Sequence, residues 1–319
     1  MNFAATFARR SALVGAVVWF LLLPTTTTDS RETELVHKVV FFAILVVVPL
    51  VLSLLPVDVK QRGPFLYRLI VYLQPIAAIP TIVSFFVGFG PISAALSFPW
   101  TILTVLISLL GLYRIMYRGR EPLPELSIDG GMLFVSVAGV WLVIYRLGEQ
   151  PFDYGEMIIL LTVVHFHLAA YATLTIVGLT GRALAGREYP PSMLGGSACS
   201  IVAAIPLVAF GITYSPWMGF FGTLLLALGL VLLAVLTVGW VIPLVNGLGI
   251  RVLFLIAASS SCAAMVLAGL YAYSVATKTL IIDIPTMAMT HGLLNAFGFV
   301  TCSLIAWSRI GSLRLPASE

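Results

Sequence analysis

Apolar residues fall in ten long blocks along the chain, at 7–24, 34–55, 66–88, 92–114, 127–147, 156–180, 194–214, 217–242, 251–274 and 285–307. Each approaches or exceeds the roughly 20 residues that a helix needs to cross the hydrocarbon core of a bilayer. Lipid offers no partner to a bare peptide group, so each block has to be a helix. The pattern predicts an all-α polytopic bundle of about ten spans, a single integral membrane domain over 1–319. Pro49, Pro75, Pro80, Pro99, Pro206 and Pro243 fall inside or at the ends of these blocks, where a missing amide donor kinks or stops a helix. The segment from Tyr117 to Gly130 reads as the longest polar connection.

Composition agrees with the pattern. Hydrophobic residues make up 60% of the 319 and charged residues 9%, with a mean hydropathy of +1.08. A soluble domain carries about a quarter charged residues, so water cannot be the solvent of this surface. The net charge of +4 comes from basic residues scattered singly between apolar runs, which excludes a nucleic-acid footprint. Cys199, Cys262 and Cys302 stand inside apolar runs without zinc or CxxC spacing and read as small packing residues. The opening segment, with Arg9 and Arg10 before an apolar stretch, has no A-x-A-like cleavage site and reads as a retained first helix.

The basic residues also orient the bundle. With ten spans and the N-terminus inside, Arg9, Arg10, Lys60, Arg62, Arg68, Arg114, Arg118, Arg120, Arg182, Arg187, Arg251, Arg309 and Arg314 face the cytoplasm. Arg31, Lys38, Arg146 and Lys278 fall outside. Cytoplasmic loops collect Lys and Arg, so both termini are expected inside.

The acids and imidazoles gather at the other face. Glu34 opens the second block, Asp153 and Glu156 the sixth, and Asp283 precedes the tenth. His37 follows Glu34 by one turn, and His165 lies nine residues past Glu156. His291 lies eight residues past Asp283. At 1.5 Å per residue the last two sit roughly 12–14 Å deep. Ionisable groups at such depth are costly unless paired, and mark function by default; a structural imidazole bonded to a neighbouring helix is the plain alternative. The acids at helix starts also suit N-terminal capping. His165 and His167 are two apart and point to different sides of a helix. His291 and Asn295 are four apart and share a face. Trp141, Tyr145, Tyr154 and Tyr171 stand nearby, as belt residues or as the wall of an apolar pocket.

The HFHLA stretch at His165 and the MTHGLLNAFGF stretch at Met289 resemble the YndJ-like family of bacterial membrane proteins, over most of the chain. That resemblance implies a multi-pass protein of the bacterial inner membrane and little mechanism. The same stretches are locally similar to the haem-binding helices of the haem-copper oxidase core subunit. Their order here is reversed, and with four histidines in all a copper centre is excluded.

No P-loop, Rossmann fingerprint, HExxH, GxSxG or aspartate-rich prenyl-diphosphate motif is present. The expectation is a metal-free, cofactor-free intramembrane enzyme using acid–base chemistry on a lipophilic substrate, foremost a terpene cyclase or isomerase started by protonation of an alkene or epoxide. Its catalytic candidates are Glu156, Glu34, His165, His291, Asp153 and Asp283. Asn295, Trp141, Tyr145, Tyr154, Tyr171, His167 and His37 would line the substrate. The alternatives are a redox protein holding haem b between His291 and His165 or His167, and a transporter or non-catalytic membrane protein.

Overall fold

The computed structural model describes residues 3–55, 64–119 and 122–310. Lys60, Arg62, Arg120 and Arg314, four of the cations sorted to the cytoplasm, lie outside them. The described residues form helices and no strand. Ten helices are long and apolar enough to cross a membrane: α1 (Phe3–Leu22), α2 (Arg31–Leu54), α3 (Phe65–Ser84), α4 (Pro91–Arg118) and α5 (Leu123–Leu147), followed by α6 (Glu156–Leu184), α7 (Pro191–Tyr214), α8 (Pro216–Leu244), α9 (Leu248–Thr277) and α10 (Ile284–Ile310). The fold is the all-helical, ten-span architecture that the hydrophobic pattern predicts.

Contacts group the chain into two compact units, Met1–Glu121 with Ile128–Thr175, and Pro122–Ser127 with Ile176–Glu319. In the first, α2 is the enclosed helix: 83% of its most apolar stretch is buried, against 17% for α1. The inward face of α1 consists of Ala4, Ala8, Ala12 and Gly15. Lipid tails are as apolar as leucine, so helices in a membrane associate by close packing, and small residues permit it. At Gly15 a β-carbon would stand 1.9 Å from the Leu45 carbonyl oxygen. In the second unit the same device joins α7 to α8, where a β-carbon on Gly211 would meet the Gly219 amide at 2.2 Å, and α9 to α10, where Gly298 faces Ser260.

Among the described residues five π-helical stretches interrupt the spans: Ala43–Val47 in α2, Phe166–Ala172 in α6, Thr237–Val241 in α8, and Ala288–Gly292 and Leu294–Thr301 in α10. A wider turn displaces backbone carbonyls from their usual donors. Side chains take several of them up. Gln74 donates to the Ile44 carbonyl (3.0 Å), Thr173 to Leu168 (2.9 Å) and Thr301 to Ala296 (2.6 Å).

One expectation is corrected here. The polar segment before Gly130 is not all connection, because α5 already starts at Leu123 and carries Glu125 and Asp129 inward. Asp129, fully buried, is bonded by Arg114 Nε at 2.5 Å and by Arg118. Glu125 pairs with Arg182 within the second unit. Carboxylates enter a helix this deep because guanidinium groups from other helices replace their water.

Two outcomes follow from the packing. Gly15→Leu forces α1 off α2 and should lower stability by about 1–3 kcal/mol, read as a drop in thermal unfolding temperature in detergent, while Leu13→Ala on the exposed face should change little. Asp129→Leu removes the carboxylate that Arg114 and Arg118 both bond and should cost about 3–5 kcal/mol, with loss of folded protein on size-exclusion chromatography.

Candidate functional site

The first unit carries a buried chain of hydrogen bonds at the start of α2. Ser30 caps the helix by accepting from the Thr33 amide at 3.2 Å. The preceding segment folds back so that Glu34 Oε2 accepts from the Thr27 amide (2.8 Å), the Thr27 hydroxyl (2.7 Å) and the Thr28 amide (3.2 Å). Lys38, one turn on, meets the other carboxylate oxygen at 2.5 Å and donates to the Thr25 carbonyl at 2.7 Å. The Thr27 hydroxyl gives its proton to Glu34, so its oxygen accepts from His37 Nδ1 at 2.7 Å. That tautomer leaves Nε2 as an acceptor, and the Tyr145 hydroxyl donates to it at 2.6 Å. The result is a relay, Glu34–Thr27–His37–Tyr145, whose last two members are 2% exposed.

Arg146 lies beside the relay, 3% exposed. Its Nε donates to Ser93 Oγ at 2.8 Å, and one terminal nitrogen donates to the carbonyls of Ser84 (2.8 Å) and Val87 (2.6 Å). The guanidinium stands 4.9, 4.8 and 5.6 Å from the rings of Phe85, Phe89 and Tyr145. None of these partners is a carboxylate, so the charge is solvated by dipoles and π faces.

The two histidines of α6 have different roles. His167 is fully buried; its Nδ1 donates to the Val163 carbonyl at 2.8 Å, and its Nε2 accepts from Trp100 Nε1 at 3.0 Å. Both ring nitrogens are thereby used, and the residue fixes α6 to α4. His165 is exposed and bonds the Leu161 carbonyl through Nδ1 at 2.6 Å. In the second unit, His291 Nδ1 donates to the Ala264 carbonyl on α9 at 2.8 Å. Its Nε2 lies 3.1 Å from the Asn295 amide nitrogen.

The other candidates are more dispersed. Glu156 is the exposed first residue of α6, and Asp153 is exposed in the short 3-10 turn Pro151–Asp153. Asp283 caps α10 by accepting from the Thr286 amide at 2.9 Å, and hydrogen bonds from Thr286 hold its carboxyl below the usual range. Trp141 and Tyr154 stack with ring centroids 6.0 Å apart. Tyr171 is fully buried, with its hydroxyl unpartnered. The relay thus joins Glu34, His37 and Tyr145, while His291, Asn295 and Asp283 belong to the second unit. Among the described residues no three His, Cys, Asp or Glu side chains cluster as a metal site requires.

Sequence reasoning missed Thr27, Lys38, Trp100 and Arg146. Only Lys38 had a local signal, its i,i+4 spacing from Glu34. Trp100→Phe removes the donor to His167 Nε2 and should cost about 1–3 kcal/mol of thermal stability. Trp19→Phe, at the bond from Trp19 to the Lys38 carbonyl (2.7 Å), tests whether that cost is particular to the buried imidazole.

Comparison with known proteins places this architecture in context. Residues 38–299 match the family described as YndJ-like protein. The membrane protein YndJ of Bacillus subtilis (strain 168), whose name describes it as uncharacterized, is 26% identical over 303 residues, covering 94% of this chain and 53% of that protein. The chain spans about half the length of that curated relative. No solved structure matches it. With the family match running from within α2 to within α10, the chain belongs to the YndJ-like family of membrane proteins.

Proposed function

We propose that this chain is a membrane-embedded enzyme that moves protons on a lipophilic substrate, with Tyr145 as the working end of the relay. The single observation behind this reading is the buried sequence of bonds from Glu34 through Thr27 and His37 to Tyr145. It has the arrangement of an activated base: a carboxylate orients, through one hydroxyl, an imidazole that accepts the proton of a hydroxyl. As a substrate carbon gives its proton to Tyr145 Oη, the phenol proton passes to His37 Nε2. The imidazolium so formed faces Thr27 and the Glu34 carboxylate.

The substrate class that fits best remains an isoprenoid undergoing cyclisation or isomerisation. Glu34 accepts three hydrogen bonds and faces Lys38, so it serves as the acceptor end and not as the initiating acid. Glu156 at the start of α6 is the carboxyl left to donate the first proton, and the stacked Trp141 and Tyr154 offer π faces to a cation. Phe89 packs edge-on against Tyr145 at 5.4 Å, so a substrate reaches the phenol past this ring. By the sorting of basic residues, the relay sits at the outer face of a bacterial inner membrane, with both termini in the cytoplasm.

A haem site fits less well. An axial histidine needs an uncommitted ring nitrogen, and His167 has none.

Incubation of the purified protein with epoxidised and plain polyprenyl chains should yield products of unchanged mass and altered retention. Tyr145→Phe and Glu34→Gln should lower their formation by about 10²–10⁴-fold, each with a stability loss of about 1–3 kcal/mol that leaves the protein folded on size-exclusion chromatography. Absence of any isomeric product sinks the reading. A Soret band that disappears in His291→Ala would replace it with the haem alternative.

A further inference from the structure

In the second unit, the pair His291–Asn295 has a polar atom left over. The Asn295 amide nitrogen lies 3.1 Å from His291 Nε2 and donates to the His291 carbonyl at 3.2 Å. The imidazole itself is oriented from the other side by its bond to the Ala264 carbonyl. These bonds use the NH₂ end of the amide, and its carbonyl oxygen has no partner among the described residues. If the amide were turned over, its NH₂ would become the idle end, so one end stays unmet in either orientation. Asn295 lies eleven residues into α10, about 16 Å along the helix, within a hydrocarbon layer about 30 Å thick. A polar atom left unmet there is costly.

The space beside it is open. A β-carbon on Gly292, one turn before Asn295, would meet only the Met287 carbonyl oxygen, 3.8 Å away on its own helix. His291, Gly292 and Asn295 are all half-exposed, so the notch opens on the surface of α10. The tautomer set by Ala264 makes His291 Nε2 an acceptor, which commits the amide nitrogen to it and turns the amide oxygen away. The notch therefore presents a single acceptor in an apolar setting.

We propose that the notch at Gly292 and Asn295 binds a hydroxyl-bearing lipophile, its hydroxyl donating to the Asn295 amide oxygen and its chain lying along α10. Depth selects the ligand class, because water is scarce there and a lipophile brings its own donor. The proposal stands apart from the relay of the first unit, and its test reads binding in place of turnover.

Native mass spectrometry of the detergent-purified chain with geranylgeraniol and with geranylgeranyl methyl ether tests it. The alcohol should bind about tenfold more tightly than the ether, which cannot donate; tenfold corresponds to about 1.4 kcal/mol. Asn295→Leu should erase that preference, and Gly292→Leu should fill the notch and exclude the alcohol, each with the parent's elution volume. Leu13→Ala, on the exposed face of α1, should bind the alcohol as the parent does. Equal binding of the ether, a preference that survives Asn295→Leu, or no binding of the alcohol by the parent chain overturns the proposal.

Discussion

A polar group inside a bilayer has only the protein to bond with, and most of the side-chain arrangement of this chain follows from that constraint. An ionisable residue at the centre of a spanning helix costs about 2.5–3.5 kcal/mol on insertion scales. Glu34 is accommodated by Lys38 and the backbone of Thr27 and Thr28, and Asp129 by Arg114 and Arg118. Arg146 is accommodated by two carbonyls, a serine and three aromatic rings. Each solution ties together segments that packing alone would leave free to slide. The bonds of Arg146 fix the end of α5 to the end of α3 and the start of α4, and the relay fixes α2 to α5. Apolar complementarity sets how close the helices come; the polar bonds set their register.

The ten spans were legible because one strong physical requirement, about 20 apolar residues in a row, writes itself directly into the chain. The place of His165 on α6 and of His291 on α10, each in the first half of its helix by residue count, was legible from the same blocks. Which side of α6 faces inward was not, because His165 and His167 are equally polar and flanked by apolar residues on every side. The choice is made by Trp100 on α4, 67 positions away, whose indole needs an acceptor. Thr27 was hidden in a run of four threonines, and only the backward fold of that segment over α2 singles it out. Glu125 and Asp129 looked like loop residues because their arginine partners lie on other helices. Local periodicity reports burial in lipid; it does not report pairing across helices.

The π-helical stretches connect this constraint to the candidate chemistry. In α6 the stretch contains His167, and in α10 the two stretches contain His291 and Asn295. A π turn re-aims side chains and shifts carbonyls out of the i→i−4 pattern, at a cost that persists only where something compensates it. Here Gln74, Thr173 and Thr301 compensate. The imidazoles are therefore held on wound but irregular backbone, with their orientations set by bonds on both sides.

If Tyr145 acts as proposed, the charge around the relay bears on which step it performs. Glu34 and Lys38 pair with each other, and the Arg146 guanidinium stands 5.6 Å from the Tyr145 ring. Phe85 and Phe89 already have their faces taken by that guanidinium, so they have little left to offer a substrate cation. A carbocation approaching Tyr145 meets like charge, and when it gives up a proton to the phenol oxygen the positive charge passes to the His37 imidazolium, which faces Thr27 and the Glu34 carboxylate. The same field favours a phenol oxygen that is losing its own proton to His37. Arg146 thus suits the relay to ending a cationic reaction, and disfavours starting one there. In the proposed reaction the initiating proton enters at Glu156, and the stacked pair of Trp141 and Tyr154, close to it in sequence, provides π surface. On the proposed reading, the Trp141–Tyr154 pair stabilises the cation, and Tyr145, one turn from Trp141 on α5, discharges it beside a fixed positive charge.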